Sequence, residues 1–434
     1  MTEKTITFGY GTGTQTVSIP EEQILDIIEG HPAPAVDMEK AVLDCLRHPT
    51  GTAPLAELVQ PGDKVCFVCA DITRAWNLSN QFLIYIVNEL NRAGIPDSDM
   101  YVVFAQGTHR AHTPEEDIRV VGEEVARRIR LYQHDSRDKD NLVFMGHTKL
   151  DTPVWLDRRV VEADKVILVN GITTHLFAGY GGGRKLILPG VAGWDTIQKN
   201  HCHALADQFG GGVNPATRAA VLENNPVSDD MQEACDMVKP CFLVHSVVND
   251  EGQICRMVGG DPYKAWLEGA REVARIQKVT YRERADVTFG CAGGYPKDVN
   301  LYQGCKFYDA AAETTKPGGI IIAIVESPEI MDPPAFMRSF RFDSEADMER
   351  ALRENFTIPF FAAFNLFCLA HKYTIYMVTR RENFDLVRKT GQIPAETVED
   401  AWAMAQAQCA EKGISKPTVN VLPHGGSVIP SLAR

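Results

Sequence analysis

Residues Gly179 to Lys185 read GYGGGRK. Successive glycines let backbone N–H groups approach an anion closely, and Arg184 and Lys185 add positive charge beside them. The spacing is neither the phosphate-loop pattern nor the dinucleotide GxGxxG, so the string points to an anionic ligand without specifying a nucleotide fold. A tight loop with a solvated basic pair is the plainer reading of the same residues. Four histidines, His109, His175, His201 and His203, stand near this string or in comparable loops. One histidine alone is more often structural than catalytic, whereas several on one edge suit acid–base chemistry near neutral pH. His201-Cys202-His203 invites a metal, yet residues one and two apart do not share a helix face. That argues against a closed zinc site and leaves room for one protein ligand to a cofactor-held metal. Arg74, in the string DITR with Asp71 and Thr73, is the residue type that grips a carboxylate or phosphate with two parallel hydrogen bonds. Further along, NLYQGCK sets Gln303 and Lys306 three residues apart, and GGYPKD adds Lys297.

These groups need a scaffold. KVCFVCA (64–70) is a continuous apolar run of strand length, and DITRAWN follows it. From Ser79 to Ala93 the residues Phe82, Leu83, Ile86, Val87 and Leu90 recur at helical spacing, with Gly94 and Pro96 as the stop. MYVVFAQ (100–106) is the next strand, then GTHR, then a helix capped by Thr113 with Pro114 first and Glu116 completing a capping box. LVFM (142–145) and KVILVN (165–170) are further strands, the second running into GITTHLFAGYGGGRK. Strand, helix, strand order predicts a parallel sheet with crossover helices. Such sheets bind ligands outside the carboxyl ends of their strands, which is where DITR, GTHR and the glycine string all fall.

A second unit begins near residue 280, after the charged helical segment Ala265 to Lys278. DVTFGCAGGYPKD (286–298) repeats the scheme of strand and glycine-bearing loop, and 318–327 and 371–379 supply further strands. The expected organisation is therefore α/β throughout: domains 1–278 and 279–434, each with a largely parallel sheet, and the active site in the cleft between them. The last segment, VNVLPHGGSVIP, can pack on either half.

Composition narrows the class. The chain has 434 residues, 44% of them hydrophobic and 23% charged, as in ordinary folded proteins. Lys plus Arg (44) minus Asp plus Glu (57) leaves −13, which disfavours a nucleic-acid or anionic-membrane binder. No run reaches the ~18 apolar residues of a membrane span; Pro359 to Ala370 is short and holds Asn365. The first residues lack an apolar signal core and read as a strand. Eleven cysteines, without paired spacing except Cys66 and Cys69 inside an apolar strand, indicate reduced thiols and a cytoplasmic protein.

Taken together, DITR, GTHR, the string THLFAGYGGGRKLILPGVAG, the histidine sixteen positions after its lysine, and GGYPKDVNLYQGCK resemble the nickel-pincer lactate racemase family. The matching motifs run from residue 71 to 306, and the HxxxGYxGGRK string with its later histidine is the specific part. One departure is visible: Gly181 stands where a serine is expected. The resemblance implies a nickel-pincer nucleotide, a pyridinium-3-thioamide-5-thiocarboxylate mononucleotide holding nickel, joined to Lys185 through a thioamide. It implies His201 as metal ligand, His109 and His175 as the two acid/base residues, and Arg74 as holder of the substrate carboxylate. Asp71, Thr73, Tyr180, Gly181, Gly182, Gly183 and Arg184 would bind the cofactor, with Gln303, Lys306 and Lys297 from the second domain. The implied reaction inverts C2 of a 2-hydroxy acid, lactate or a larger relative, by hydride transfer to and from the pyridinium. Cofactor-assembly proteins are implied as partners. Phe361 to Cys368 and the loop after Glu326 are candidate pocket linings. Competing readings are a nucleotide-binding enzyme using GYGGGRK, a zinc hydrolase, for which no HExxH exists, and a non-catalytic cofactor binder.

Overall fold

The computed structural model describes residues 2–433. In chain order, β1 (Glu3–Tyr10), β2 (Gly13–Pro20) and β3 (Ile24–Ile27) come first. They are followed by β4 (Val65–Ala70), β5 (Met100–Ala105), β6 (Arg130–Gln133), β7 (Leu142–His147), β8 (Pro153–Asp157) and β9 (Lys165–Gly171). The short pair β10 (Thr174–His175) and β11 (Gly179–Tyr180) precedes β12 (Phe242–Val248) and β13 (Ile254–Gly260). The last strands are β14 (Lys278–Tyr281), β15 (Ala285–Cys291), β16 (Thr315–Ile324), β17 (Thr374–Val378), β18 (Ile393–Ala395), β19 (Val419–Leu422) and β20 (Ile429–Leu432).

Two compact units result. The larger holds Pro32–Leu205 and Asn214–Arg275; the smaller holds the chain up to His31, Ala206–Val213, and everything from Ile276 on. The larger unit's six-stranded sheet runs β13-β12-β9-β4-β5-β6, parallel except for β13. All six residues of β4 are buried, which is why that strand reads as an unbroken apolar run with both faces covered. The chain builds outward from β4 through β5 to β6, then returns to the other side of β4 with β9. The switch point therefore lies between β4 and β9, flanked by DITR and GITTHLFAGYGGGRK. The helix Ser79–Arg92 buries the five apolar residues expected of it, and Thr113 forms the capping box with Glu116.

The smaller unit's sheet, β18-β17-β16-β15-β19-β3, is wholly parallel. It grows from β15 through β16 and β17 to β18, then returns beyond β15 with β19, so its switch point lies between β15 and β19. GGYPKD follows β15 and PHGGS follows β19.

Three arrangements differ from the sequence reading. Residues 1–31, expected with the first domain, group with the smaller unit: β3 completes its sheet beside β19, and Ile6, Phe8, Val17 and Ile19 of the β1–β2 hairpin enter its core. A two-stranded hairpin is marginal alone and needs such a partner surface. Residues 206–213 also join it, where the buried Glu349 carboxylate accepts the Gly210 and Gly212 N–H groups at 3.2 and 3.1 Å. The 142–145 strand, now β7, pairs antiparallel with β8 in a separate two-stranded sheet, its residues largely half-exposed rather than covered on both faces. The C-terminal segment stays within the smaller unit, β20 pairing with β14. Cys66 and Cys69 are core residues, and Ile358–Lys372, spanning the 359–370 run, is a buried helix.

Candidate active site

Phe177, fully buried in the turn between β10 and β11, gathers three of the residues singled out from sequence. The His175 ring meets it edge-on at 4.7 Å and the His201 ring at 5.1 Å, and Lys185 Nζ lies 5.6 Å from its centre. They arrive from three elements: β10, the 3-10 turn Gly183–Leu186, and the helix Trp194–Cys202. Desolvation, reinforced by the charges of Arg74 and Arg184, pushes the Lys185 amine well below its ordinary pKa. Burial, then the Lys185 charge, pushes His201 down as well, so its imidazole is neutral. His203 turns elsewhere, its Nε2 lying 3.3 Å from Thr152 Oγ1, so the His-Cys-His string contributes one member to the cluster. Among the described residues no three His, Cys, Asp or Glu side chains converge as a metal cage.

At the end of β4, Asp71 opens the turn Ile72–Asn77 that carries Arg74. Asp71 Oδ2 holds His109 Nδ1 at 2.5 Å and Oδ1 accepts the Thr73 hydroxyl at 2.6 Å. Burial raises the Asp71 carboxyl, but the His109 bond and charge, the Thr73 hydroxyl and Arg74 outweigh it and hold it below the usual range. Nδ1 of His109 is thus the proton-bearing nitrogen, which leaves Nε2 as an acceptor on a side chain 42% exposed. His175 is the converse: its Nδ1 accepts the Ala178 N–H at 3.3 Å, so its proton resides on Nε2. Arg74 Nη1 is tied to Thr73 O and Oγ1 at 3.2 and 3.0 Å.

Sequence reasoning missed His112. Its Nε2 accepts the Ile72 N–H at 3.0 Å and its Nδ1 donates to Asp117 at 3.0 Å, which pins the start of the DITR turn. The capped helix that presents Asp117 was visible in the sequence; the hydrogen bond joining two loops was not.

The glycine loop differs from an open anion cradle. Gly181 N–H donates to Thr173 O at 2.8 Å and Gly183 N–H to His245 Nε2 at 2.7 Å, so both are used by the protein itself. Arg184 is buried, bonded to Ser228 Oγ, Ser228 O and Ala178 O, with its guanidinium 3.9 Å from the Trp266 ring. Desolvation lowers its pKa to about 10. It clamps the loop from within rather than standing as a solvated cation. Tyr180 is likewise buried, and burial raises its hydroxyl pKa.

The glycines serve different needs. At Gly183 (φ +54) a Cβ would fall 2.7 Å from Trp266 Cδ1, and at Gly182 (φ +71) 2.8 Å from His245 Cδ2. At Gly181 the nearest atom to a Cβ is Thr173 O at 3.7 Å, an ordinary contact. Gly181→Ser is therefore expected to change unfolding free energy by less than ~0.5 kcal/mol. Gly183→Ala should cost at least ~2 kcal/mol through backbone strain and overpacking. Urea unfolding of the two variants checks the contrast.

His245, on β12 and fully buried, was also missed; among the surrounding apolar residues of that strand it looks like a core histidine. Desolvation, against its own backbone bond, lowers its pKa to about 3, so it stays neutral and accepts the Gly183 N–H. The unfolded chain protonates this residue below ~6.5 while the folded chain does not. Its contribution to stability is accordingly complete above ~6.5 and falls by up to ~1.4 kcal/mol per pH unit as pH drops towards the folded value. His245→Gln keeps an acceptor for Gly183 and should flatten this slope, read as unfolding free energy against pH from 7.5 to 5.

In the smaller unit, Asn300 caps the turn Leu301–Gly304, and Lys306 Nζ donates to Gln303 Oε1, so the spacing-based pairing of these two side chains is present. Lys297 lies on the loop after β15, its Nζ 3.3 Å from Ser427 Oγ. That loop is held by the N-terminal hairpin: Asp298 Oδ2 accepts the Gly11 N–H at 2.7 Å, and Gly11 O accepts the Tyr295 N–H at 2.8 Å. The helix that contains Phe361 to Cys368 buries most of them in the smaller unit.

An α/β chain with paired switch-point loops and a histidine–lysine cluster matches known families. Residues 10–210 match the lactate racemase N-terminal domain and residues 280–430 the lactate racemase C-terminal domain. The chain belongs to the lactate racemase family, whose members are isomerases. It is 29% identical to a lactate racemase of Thermoanaerobacterium thermosaccharolyticum over 97% of both chains. To a lactate racemase of Lactiplantibacillus plantarum it is 27% identical over 90% of both. The solved lactate racemase apoprotein of T. thermosaccharolyticum superimposes with a TM-score of 0.88 at 28% identity, covering 99% of this chain and all of that one. A Thermotoga maritima structure shares the fold at 17% identity and a TM-score of 0.65, covering 92% of this chain and all of that one.

Proposed function

We propose that this chain inverts C2 of a 2-hydroxy acid, lactate or a close relative, with a nickel-pincer nucleotide attached at Lys185. The observation that carries the reading is the meeting of Lys185, His201 and His175 around the Phe177 ring. The residues present fit such a group. Lys185 is an amine kept nucleophilic by desolvation and neighbouring cations, as acylation by a thiocarboxyl carbon requires. His201 offers a neutral imidazole, which suits nickel as a single protein donor when the other donors belong to the cofactor.

Bound there, the group would supply an acceptor that takes the C2 hydrogen as hydride and returns it. The protein's share is proton transfer and position. His109, with Nδ1 committed to Asp71, presents Nε2 as the base for a substrate hydroxyl. His175, the matching acid for a 2-oxo intermediate's oxygen, acts as the imidazolium: its Nδ1 gives up the Ala178 N–H when it takes a second proton, and Nε2–H is the proton donated. One turnover exchanges their proton states, as catalysis in both directions demands. Arg74, steadied by Thr73, holds the substrate carboxylate. Gln303, Lys306 and Lys297 are assigned to cofactor or substrate binding from the smaller unit, and assembly proteins deliver the cofactor. All eleven cysteines are free thiols, consistent with a cytoplasmic setting, and no described helix is long and apolar enough to cross a membrane. The test is chiral chromatography of L-lactate and larger 2-hydroxy acids after incubation with protein made alongside the assembly machinery. Inversion of at least one is expected; inertness of cofactor-bearing protein towards all would overturn the reading.

A further inference from the structure

Apart from the N-terminal edge strand β3, the two sheets share a plan: each is built from an inner strand to one side and then returns on the other. In the larger unit the loops flanking that return carry Arg74, His175 and Lys185. In the smaller unit the corresponding loops are GGYPKD after β15 and PHGGS after β19. Lys297 was already a candidate from sequence; the PHGGS loop had no role.

The geometry points to an oxyanion site at this second switch point, formed by Lys297, His424 and Ser427 and taking a carboxylate or a phosphate monoester. Lys297 Nζ reaches Ser427 Oγ at 3.3 Å as donor, so the serine hydroxyl proton is available to a further acceptor. Gly293 (φ +101) leaves a notch between the loops: a Cβ there would lie 3.2 Å from His424 Nδ1 and 3.7 Å from Lys297 Cδ. His424 is exposed and its ring makes no hydrogen bond among the described residues. A Cβ at Gly426 would meet nothing within 4 Å, so the loop borders open space. An ammonium, a hydroxyl and an imidazole on two loops are the donors that oxyanion recognition uses. The backbone holding them is fixed from both sides: Gly425 packs on Phe307, and Asp298 anchors the first loop through Gly11. The site needs neither nickel nor the Lys185 bond, and shares only Lys297 with the proposed function.

The experiment is calorimetric titration of the full chain, made without cofactor-assembly proteins, with inorganic phosphate and separately with L-lactate. Binding of at least one is expected, weakened about tenfold or more by Ser427→Ala and by His424→Asn. His424 is exposed and Ser427 half-buried, and an unchanged unfolding midpoint excludes loss of fold. Weakening confined to phosphate identifies a phosphate-monoester site, and weakening confined to lactate a carboxylate site. Wild-type protein that binds neither, or variants that bind as tightly as wild type, would overturn the proposal. Because the protein tested carries no cofactor, this outcome is independent of whether Lys185 bears an adduct.

Discussion

Lys185→Ala, produced with the assembly machinery, is expected to lose racemisation by more than about a thousand-fold, because no side chain of the protein can itself accept a hydride. Its fold should survive. The Lys185 amine is desolvated beside two cations and paired with no carboxylate among the described residues, so removing it relieves a cost rather than breaking a bond. The unfolding midpoint should therefore stay within a few degrees of wild type or rise. A chain that racemises normally without this lysine would remove it from the mechanism. A chain that unfolds far earlier would make Lys185 a structural residue.

The second large effect concerns the histidine pair. His109→Ala and His175→Ala should each lower kcat/KM by about a hundred- to ten-thousand-fold, the usual worth of a positioned acid or base. The losses must match in the two directions: mirror-image substrates have equal free energies, so a racemase has equal kcat/KM for both whatever the mutation. Chiral chromatography from each enantiomer measures this. A variant within about tenfold of wild type would exclude that histidine as an acid/base group. Asp71→Asn should fall between, since it keeps a hydrogen-bonding partner for His109 while removing the carboxylate that assigns the proton to Nδ1.

Much of this site was legible in the sequence because local patterns determine it. β4 and β9 are buried on both faces and so read as apolar runs, and the loops that follow parallel strands come to one edge by topology alone. That logic placed Arg74, His109 and His175 on the same side without any contact being known. What escaped depends on long-range pairing. His245 lies 62 residues from the Gly183 N–H it accepts, and His112 lies 40 from Ile72. Neither spacing leaves a periodic trace. The attachment of β3 to β19 joins the two ends of the chain, so the first 31 residues had no local reason to be assigned to the C-terminal half. The glycine string shows the opposite limit: its composition resembles an anion cradle, yet Arg184 is turned inward by Ser228 and Trp266.

In the proposed function Lys185 carries a nickel-holding mononucleotide. Intact-protein mass spectrometry, peptide mapping and metal analysis of the chain made in cells with the assembly machinery test it directly. A mononucleotide-sized adduct on the Lys185 peptide and about one nickel per chain are expected. Unmodified, nickel-free protein from cells shown to load another family member would contradict it.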